Sequence, residues 1–357
     1  SRCSEAMASI ERRAALTGLA RAGFSDLSRS SDALDELGSL TGIERADLVV
    51  AAQRAADPDG AVQACVRIGR RDPDALRHAL TEASDVVWSL LGASSGYADF
   101  FLRHPDELAH LVSAGRMLPS ARAMREALLE AVDADADGFA AASDESAWVA
   151  LRVRYRRIVA LIAAYDLAAD DATEVLPEVA AALADAAGAA LDASLCAARA
   201  RAATAMFPRE EVAATRLSVI GMGKTGAREL NYVSDVDVIF VAGVAEGADV
   251  TEGRAVDIAT RLATLTMRGI SDVEVEPPLW EVDPNLRPEG KQGALVRTLD
   301  SHLSYYGRWA KSWEFQALLK ARPLAGDLEL GEQYCAAVQP LVWTSSAREN
   351  FVDSVQR

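Results

Sequence analysis

Asp235 and Asp237 are the residues of this chain best placed to do chemistry, in the run Ser234-Asp235-Val236-Asp237 that leads into Val238-Ile239-Phe240-Val241. Residues two apart on a strand project to one face, so the two carboxylates point together while Val236, Val238 and Phe240 face a core. Just upstream, the apolar run Leu217 to Ile220 enters the glycine turn Gly221-Met222-Gly223-Lys224-Thr225-Gly226. Such a turn brings backbone N–H groups and a helix N-terminus against phosphate. Convergent carboxylates beside it suggest divalent-metal and phosphoryl chemistry. A third carboxylate from a neighbouring strand would complete a two-metal site, and Asp283, after Trp280-Glu281-Val282, is the candidate. The D-x-D spacing carries little alone, since Asp57/Asp59, Asp72/Asp74 and Asp133/Asp135 share it. Its force comes from the order: glycine turn, helix, Ser-Asp-x-Asp on an apolar strand, helix, strand with Asp.

Two other uses of the glycine turn fit less well. Gly221-x-Gly223-x-x-Gly226 matches a dinucleotide-binding fingerprint, which requires an acidic residue about 20 positions on, at the end of the second strand. Here the carboxylates come 14 and 16 residues after Gly221, at the start of the strand, and no run of βαβ units follows. An NAD-binding fold is therefore the least favoured alternative. Gly223-Lys224-Thr225 resembles a P-loop, but the glycine required five positions earlier is Ser218.

The elements that must position these residues divide the chain by composition. Residues 1–203 are rich in Ala, Leu, Arg, Asp and Glu at helical spacing, with Tyr155, Ile158, Ile162 and Tyr165 as one example, and read as helices without strands. Glycine and proline are confined there to breaks such as Asp57-Pro58-Asp59-Gly60 and Arg71-Asp72-Pro73-Asp74. Residues 204–298 form a small α/β core: strands at Leu217 to Ile220 and Val236 to Val241, a helix from about Thr251 to Arg268 stopped by Gly269, and a third strand over Val273 to Val282 interrupted by Pro277-Pro278. Residues 299–357 turn helical again, and Tyr305, Tyr306, Trp309 and Trp313 there are expected to be core rather than a ligand box. The expected class is α+β and mostly helical.

Composition narrows the function further. With 357 residues and half of them hydrophobic, the chain has enough for sizeable cores. A net charge of -16 argues against a general nucleic-acid binder. Cys3, Cys65, Cys196 and Cys335 show no C-x-x-C spacing, which points to reduced thiols in a cytoplasmic protein. No apolar run reaches the ~18 residues of a membrane span, and no signal-peptide pattern opens the chain. The start at Ser1 and an end inside an apparently unfinished helix, Phe351 to Arg357, suggest a piece of something longer. Asp133-x-Asp135-x-Asp137-Gly138 begins like a calcium loop, but its twelfth position is Asp144 rather than the bidentate Glu, so an acidic inter-helix loop is expected. His78, His104, His110 and His302 are scattered, without ligand spacing.

The ordered parts resemble the nucleotidyltransferase superfamily that includes DNA polymerase beta. More narrowly, Gly221-Met-Gly-Lys-Thr-Gly-Ala-Arg228-Glu229-Leu230-Asn231-Tyr-x-Ser234-Asp-x-Asp237 resembles the signature of the bifunctional glutamine synthetase adenylyltransferase and adenylyl-removing family. Val282-Asp283-Pro-Asn285-Leu286-Arg287-Pro288-Glu-Gly290-x-x-Gly293 and Trp313-Glu314-x-Gln316-Ala-Leu-Leu-Lys320-Ala321-Arg322 are similar to the same family. So are Leu90-Leu91-Gly92, Ser95, Arg103-His104-Pro105, Leu151-Arg152, Arg156-Arg157 and Asp166-Leu167 upstream. The resemblance implies a polymerase-beta-like core between helical regions and, from Arg-Glu-Leu-Asn and the helices ahead of it, the half that removes AMP from a glutamine synthetase tyrosine by phosphorolysis, releasing ADP. It implies Mg²⁺, two ions, on Asp235, Asp237 and Asp283. Phosphate contacts would come from Gly221, Gly223, Lys224, Gly226, Ser234, Arg287, Lys320 and Arg322. It further implies ATP-dependent adenylylation by the full-length protein, and glutamine synthetase and a PII signalling protein as partners; the charge and the apolar runs lead us to expect no nucleic acid and no membrane. Asn285 stands where the family pattern has arginine. The competing class is a non-catalytic module docking on glutamine synthetase or PII, against which an intact Asp triad speaks.

Overall fold

The computed structural model describes residues 16–114 and 116–345, so Cys3 and the proposed helix at Phe351 to Arg357 lie outside the described residues. The protein is mostly helical α+β and divides into two compact units, Ser1–Leu118 with Val159–Val175 and Pro119–Ile158 with Leu176–Arg357.

The described part of the first unit is helical: α1 (residues 16–21), α2 (Leu27–Thr41), α3 (Arg45–Ala52), α4 (Pro58–Arg71), α5 (Pro73–Glu82), α6 (Ser84–Ala93), α7 (Ser95–Arg103) and α8 (Leu108–Ala114). The two Asp-Pro breaks are helix starts. Asp57 accepts the N–H of Gly60 and Asp72 that of Ala75, and the proline at the first helical position has its φ already set.

In the second unit, α9 (Ala121–Ala131) and α12 (Arg209–Ala214) accompany segments of α10 (Ser146–Leu167) and α11 (Ala172–Ala205), the two helices through which the division runs. By length and composition α11 is apolar enough to be weighed as a membrane span, although scattered polar residues interrupt its apolar run. Its alanines serve a core instead: 83% of its most apolar stretch is buried inside the protein.

Five strands follow: β1 (Thr215–Gly221), β2 (Val236–Val244), β3 (Val282–Asp283), β4 (Val296–Thr298) and β5 (Arg322–Gly326), in the order β3-β2-β1-β5 with β4 also on β2. β1 runs antiparallel to β2 and β5, whereas β3 and β4 are parallel to β2. Parallel pairing needs a crossover, and α14 (Glu252–Ser271) supplies it, capped by the Thr251 side chain on the Arg254 N–H. The short α13 (Gly223–Ala227) separates β1 from β2, and α15 (Leu299–Arg308), α16 (Ser312–Leu318) and α17 (Leu328–Ser345) complete the unit.

The alternation along β2 predicts one buried face, yet Val236, Val238, Ile239, Phe240 and Val241 are all fully buried. Ile220, Met222, Ile239 and Val241 pack beneath Tyr306, Phe315, Leu318, Leu330, Tyr334 and Val338 of the last three helices. α14 packs on β1, β2 and β4 as well.

Four local expectations are corrected. Residues 273–281 form no strand; only Val282 and Asp283 pair, because prolines at 277 and 278 have no N–H to give a ladder. α14 runs through Gly269 to Ser271; this glycine makes room, since a Cβ there would lie 1.9 Å from the Trp148 indole nitrogen. The stretch after residue 299 is not purely helical, because β5 joins the sheet edge beside β1. The aromatic stripe splits: Tyr306 is core, but Trp309 is 73% and Trp313 46% exposed, Trp309 falling beyond the end of α15.

Candidate active site

The three carboxylates named from the sequence come together. β2 and β3 pair with Val236 opposite Val282 and Asp237 opposite Asp283, which puts those two aspartates side by side on one face. Asp235 sits two residues earlier, and ligand oxygens from all three lie within 4.8 Å of one another. Asp235 is exposed and the other two are half-buried. Burial, then the charges of Asp235 and Asp283, push the Asp237 carboxyl above its usual range, while Lys224 pulls the other way. A cluster of hard oxygen donors that resists holding its own charge fits a magnesium ion, which takes one or two carboxylates and keeps waters or phosphate oxygens on its other positions.

Local hydrogen bonds hold the segments that carry the carboxylates. The Val236 N–H donates to the Glu281 carbonyl at 2.9 Å, starting the β2–β3 pairing immediately beside the acids. Asp283 accepts the Asn285 N–H at 2.7 Å, a bond that uses the backbone of residue 285 and not its side chain. The Ser234 hydroxyl donates to the Asp235 carbonyl at 2.8 Å and lies 3.3 Å from its carboxylate.

The glycine turn packs directly against this cluster. Gly223 has φ +52°, and a Cβ there would stand 2.4 Å from Asp237 Oδ2, so only glycine admits both the left-handed backbone and the carboxylate. Gly226 lets the turn press on the chain leading into β5, since its Cβ would meet the Lys320 carbonyl oxygen at 2.0 Å. The turn closes onto β2 through the Met222 N–H and the Asp237 carbonyl, 2.9 Å apart. Gly221 is the last residue of β1, paired with Val238 and Arg322.

The four cations differ. Lys224 is exposed, with its ammonium 3.4 Å from the Asn231 side-chain oxygen. Lys320 is exposed too and pairs with Glu229 at 2.7 Å. Arg287 is buried and donates to the carbonyls of Pro284, Gly293 and Lys291, stapling the loop after Asp283. Arg322 donates to the carbonyls of Thr225 and Gly226 at the end of α13.

Asp185 escaped the sequence reading. From α11 it pairs with Arg228 at 2.5 Å and approaches Arg322 at 3.8 Å. Arg228 itself holds a left-handed φ of 60° at the end of α13, an unfavourable conformation for a non-glycine residue. The sequence signal for Asp185 is weak, a single acid in an alanine-rich helix. Other acids have structural work: Asp135 accepts the N–H groups of Asp137 and Phe139 and pairs with Arg209, and Asp144 accepts the Ser146 N–H at the start of α10. Among the described residues, no metal-competent group of acids, histidines or cysteines is found in the calcium-like loop.

A small mixed sheet carries the acidic triad where β2 and β3 adjoin, with a glycine turn beside it, an arrangement suited to phosphoryl chemistry on a divalent metal. The chain belongs to the glutamate-ammonia ligase adenylyltransferase family, whose pattern it matches over residues 85–337. It is 59% identical, over 96% of its length, to the bifunctional glutamine synthetase adenylyltransferase/adenylyl-removing enzyme of Leifsonia xyli subsp. xyli. Proteins of the same name from Streptomyces coelicolor and Mycolicibacterium smegmatis are 45% and 44% identical over 97% and 90% of the chain. The chain spans about a third of each relative's length, 34%, 33% and 31% respectively.

Proposed function

We propose that this chain is the part of a glutamine synthetase regulator that removes AMP from the modified tyrosine, with inorganic phosphate as acceptor and ADP as product. The observation that carries the reading is the convergence of Asp235, Asp237 and Asp283 beside the glycine turn. The direction, removal rather than addition, rests on Arg228-Glu229-Leu230-Asn231 ahead of the acid pair and on the long helical lead-in.

In this reading an oxygen of phosphate attacks the α-phosphorus, the bond from phosphorus to the tyrosine oxygen breaks, and that oxygen leaves to be protonated. A tyrosine hydroxyl has a pKa of about 10, so the departing oxygen carries much negative charge. Asp235, Asp237 and Asp283 would hold magnesium, which when bound supplies positive charge to the phosphoryl group and the leaving oxygen. Lys224 and Lys320, at the surface, contact phosphate oxygens. Arg287 and Arg322 hold the two loops that carry the acids and the turn. Ser234 orients Asp235. ATP as substrate of the complete protein, a PII-type partner and a cytoplasmic location belong to the same reading.

The chain mixed with adenylylated glutamine synthetase, Mg²⁺ and phosphate should release ADP, and Asp235→Asn should abolish that release in a folded protein. Formation of adenylylated enzyme from ATP instead would reverse the direction. Wild-type turnover in the Asp235→Asn variant would remove the metal role.

A further inference from the structure

The geometry points to Arg152, Tyr155 and Arg156, on one face of α10, as positioning residues that set Asp283 beside Asp237; we propose that this face is a clamp on the segment leading into β3. The inference deepens the metal-triad reading and rests on it only where metal is invoked.

β3 is two residues long. A parallel pair of that length has little cohesion of its own, and the segment ahead of it, 272–281, forms no regular structure. Two of its residues, Pro277 and Pro278, offer carbonyls and no N–H. Carbonyls buried without donors are costly, and the donors come from α10. Arg152 is fully buried, and its guanidinium donates to the carbonyls of Gly269 at 3.1 and 2.9 Å, Glu276 at 2.6 Å and Asp272 at 2.8 Å. Gly269 lies in the last turn of α14, where carbonyls lack helical partners and the helix dipole is negative, so the cation also suits the place electrostatically.

One turn further along, Arg156 donates to the carbonyls of Pro277 at 2.7 Å and Pro278 at 2.8 Å and pairs with the buried Glu276 carboxylate at 3.1 Å. Between them the Tyr155 hydroxyl accepts the Trp280 indole N–H at 3.0 Å. The clamp therefore grips 269, 272, 276, 277, 278 and 280, and the next residue, Glu281, supplies the carbonyl that opens the pairing with Val236. Asp283 follows two residues later, so the position of the third carboxylate is set from a helix that contributes nothing to the sheet.

A planar fork that reaches two carbonyls is a property of arginine, and lysine lacks it. Arg156→Lys and Arg156→Gln test the clamp without emptying the core site of Arg152, with Tyr155→Phe as a milder third variant. Two readouts are taken on each: Mn²⁺ affinity by electron paramagnetic resonance, and amide exchange by mass spectrometry over 272–285, against β1 as a control. Removing groups that orient metal ligands costs about 10- to 100-fold in metal affinity. The expected result is Mn²⁺ binding weakened about tenfold or more in Arg156→Gln, partly restored in Arg156→Lys, with faster exchange confined to 272–285 and an unchanged circular dichroism spectrum.

Unchanged exchange over 272–285 in Arg156→Gln overturns the clamp whatever the metal does. Faster exchange with wild-type Mn²⁺ affinity also overturns it, because the segment then moves without moving Asp283. If the wild-type chain binds no Mn²⁺ that Asp235→Asn abolishes, the metal reading fails, while localised exchange with intact β1 still supports the clamp on β3.

Discussion

Asp237 carries an electrostatic conflict at the centre of the site. Its carboxyl is pushed up by burial and by two neighbouring carboxylates, so in the folded protein the ionised form is disfavoured. A carboxyl whose folded pKa lies above its unfolded value stabilises the fold below the unfolded pKa and loses that contribution as pH rises through the folded one. At neutral pH without metal the ionised Asp237 carboxylate therefore opposes folding, and Asp237→Asn relieves it. We expect this variant to melt about 2 °C higher in metal-free neutral buffer by calorimetry, a small gain because the half-exposed group is screened by water. Its ADP release should fall about a thousandfold or more, as loss of an electrostatic contribution of roughly 4 kcal/mol would give. A less stable Asp237→Asn would contradict the strain assigned to the cluster. Asp235 and Asp237 were legible in the sequence because strand alternation is local; Asp283 was legible as a candidate only through the order of elements.

At the scale of elements, α13 is five residues long and too short to persist alone. It is held by the carbonyl bonds of Arg322 and by the contact of Gly226 with the Lys320 carbonyl. Arg322→Met should lower stability by about 2 kcal/mol in urea unfolding, the cost of leaving those carbonyls without donors. Lys224→Met should leave the unfolding midpoint unchanged and raise the KM for phosphate. If instead Arg322→Met kept its stability and lost phosphate affinity alone, Arg322 would be a phosphate ligand rather than a strut. The sequence marked both cations and had no means of separating these roles, because which donors face carbonyls depends on β5 lying next to β1, a pairing between residues about a hundred positions apart. The same holds for the stretch at 273–281, where apolar composition suggested a strand and the double proline, with donors reaching in from α10, made an irregular clamped segment.

For the molecule as a whole, one buried histidine contributes to acid sensitivity, alongside carboxylates such as Asp327 that their partners hold below the usual range. His302 is buried, donates Nε2–H toward the Phe240 carbonyl at 3.4 Å, and burial drives its pKa from 6.5 to about 4. A histidine depressed in this way is neutral in both states above 6.5; below that the unfolded chain takes up the proton first, and stability is lost as pH falls toward 4. The loss attributable to this group approaches about 3 kcal/mol at the acid end. His302→Gln should flatten the difference in urea stability between pH 7 and 4.5, whatever its own cost at pH 7. An unaltered pH slope would assign the acid loss to other groups.

The sequence by itself determined the helical lead-in, β1, β2 and the glycine turn, because these depend on periodicity, on φ preferences and on neighbours within a few residues. It also named Asp235, Asp237 and Asp283. Tertiary structure alone decided that the three carboxylates meet, that Gly223 lies flat on Asp237, that Asp185 faces Arg228, and that Arg287 and Arg322 spend their donors on carbonyls. These are contacts between distant segments, chosen by which buried polar groups find partners once the sheet has closed, and no local pattern encodes that choice.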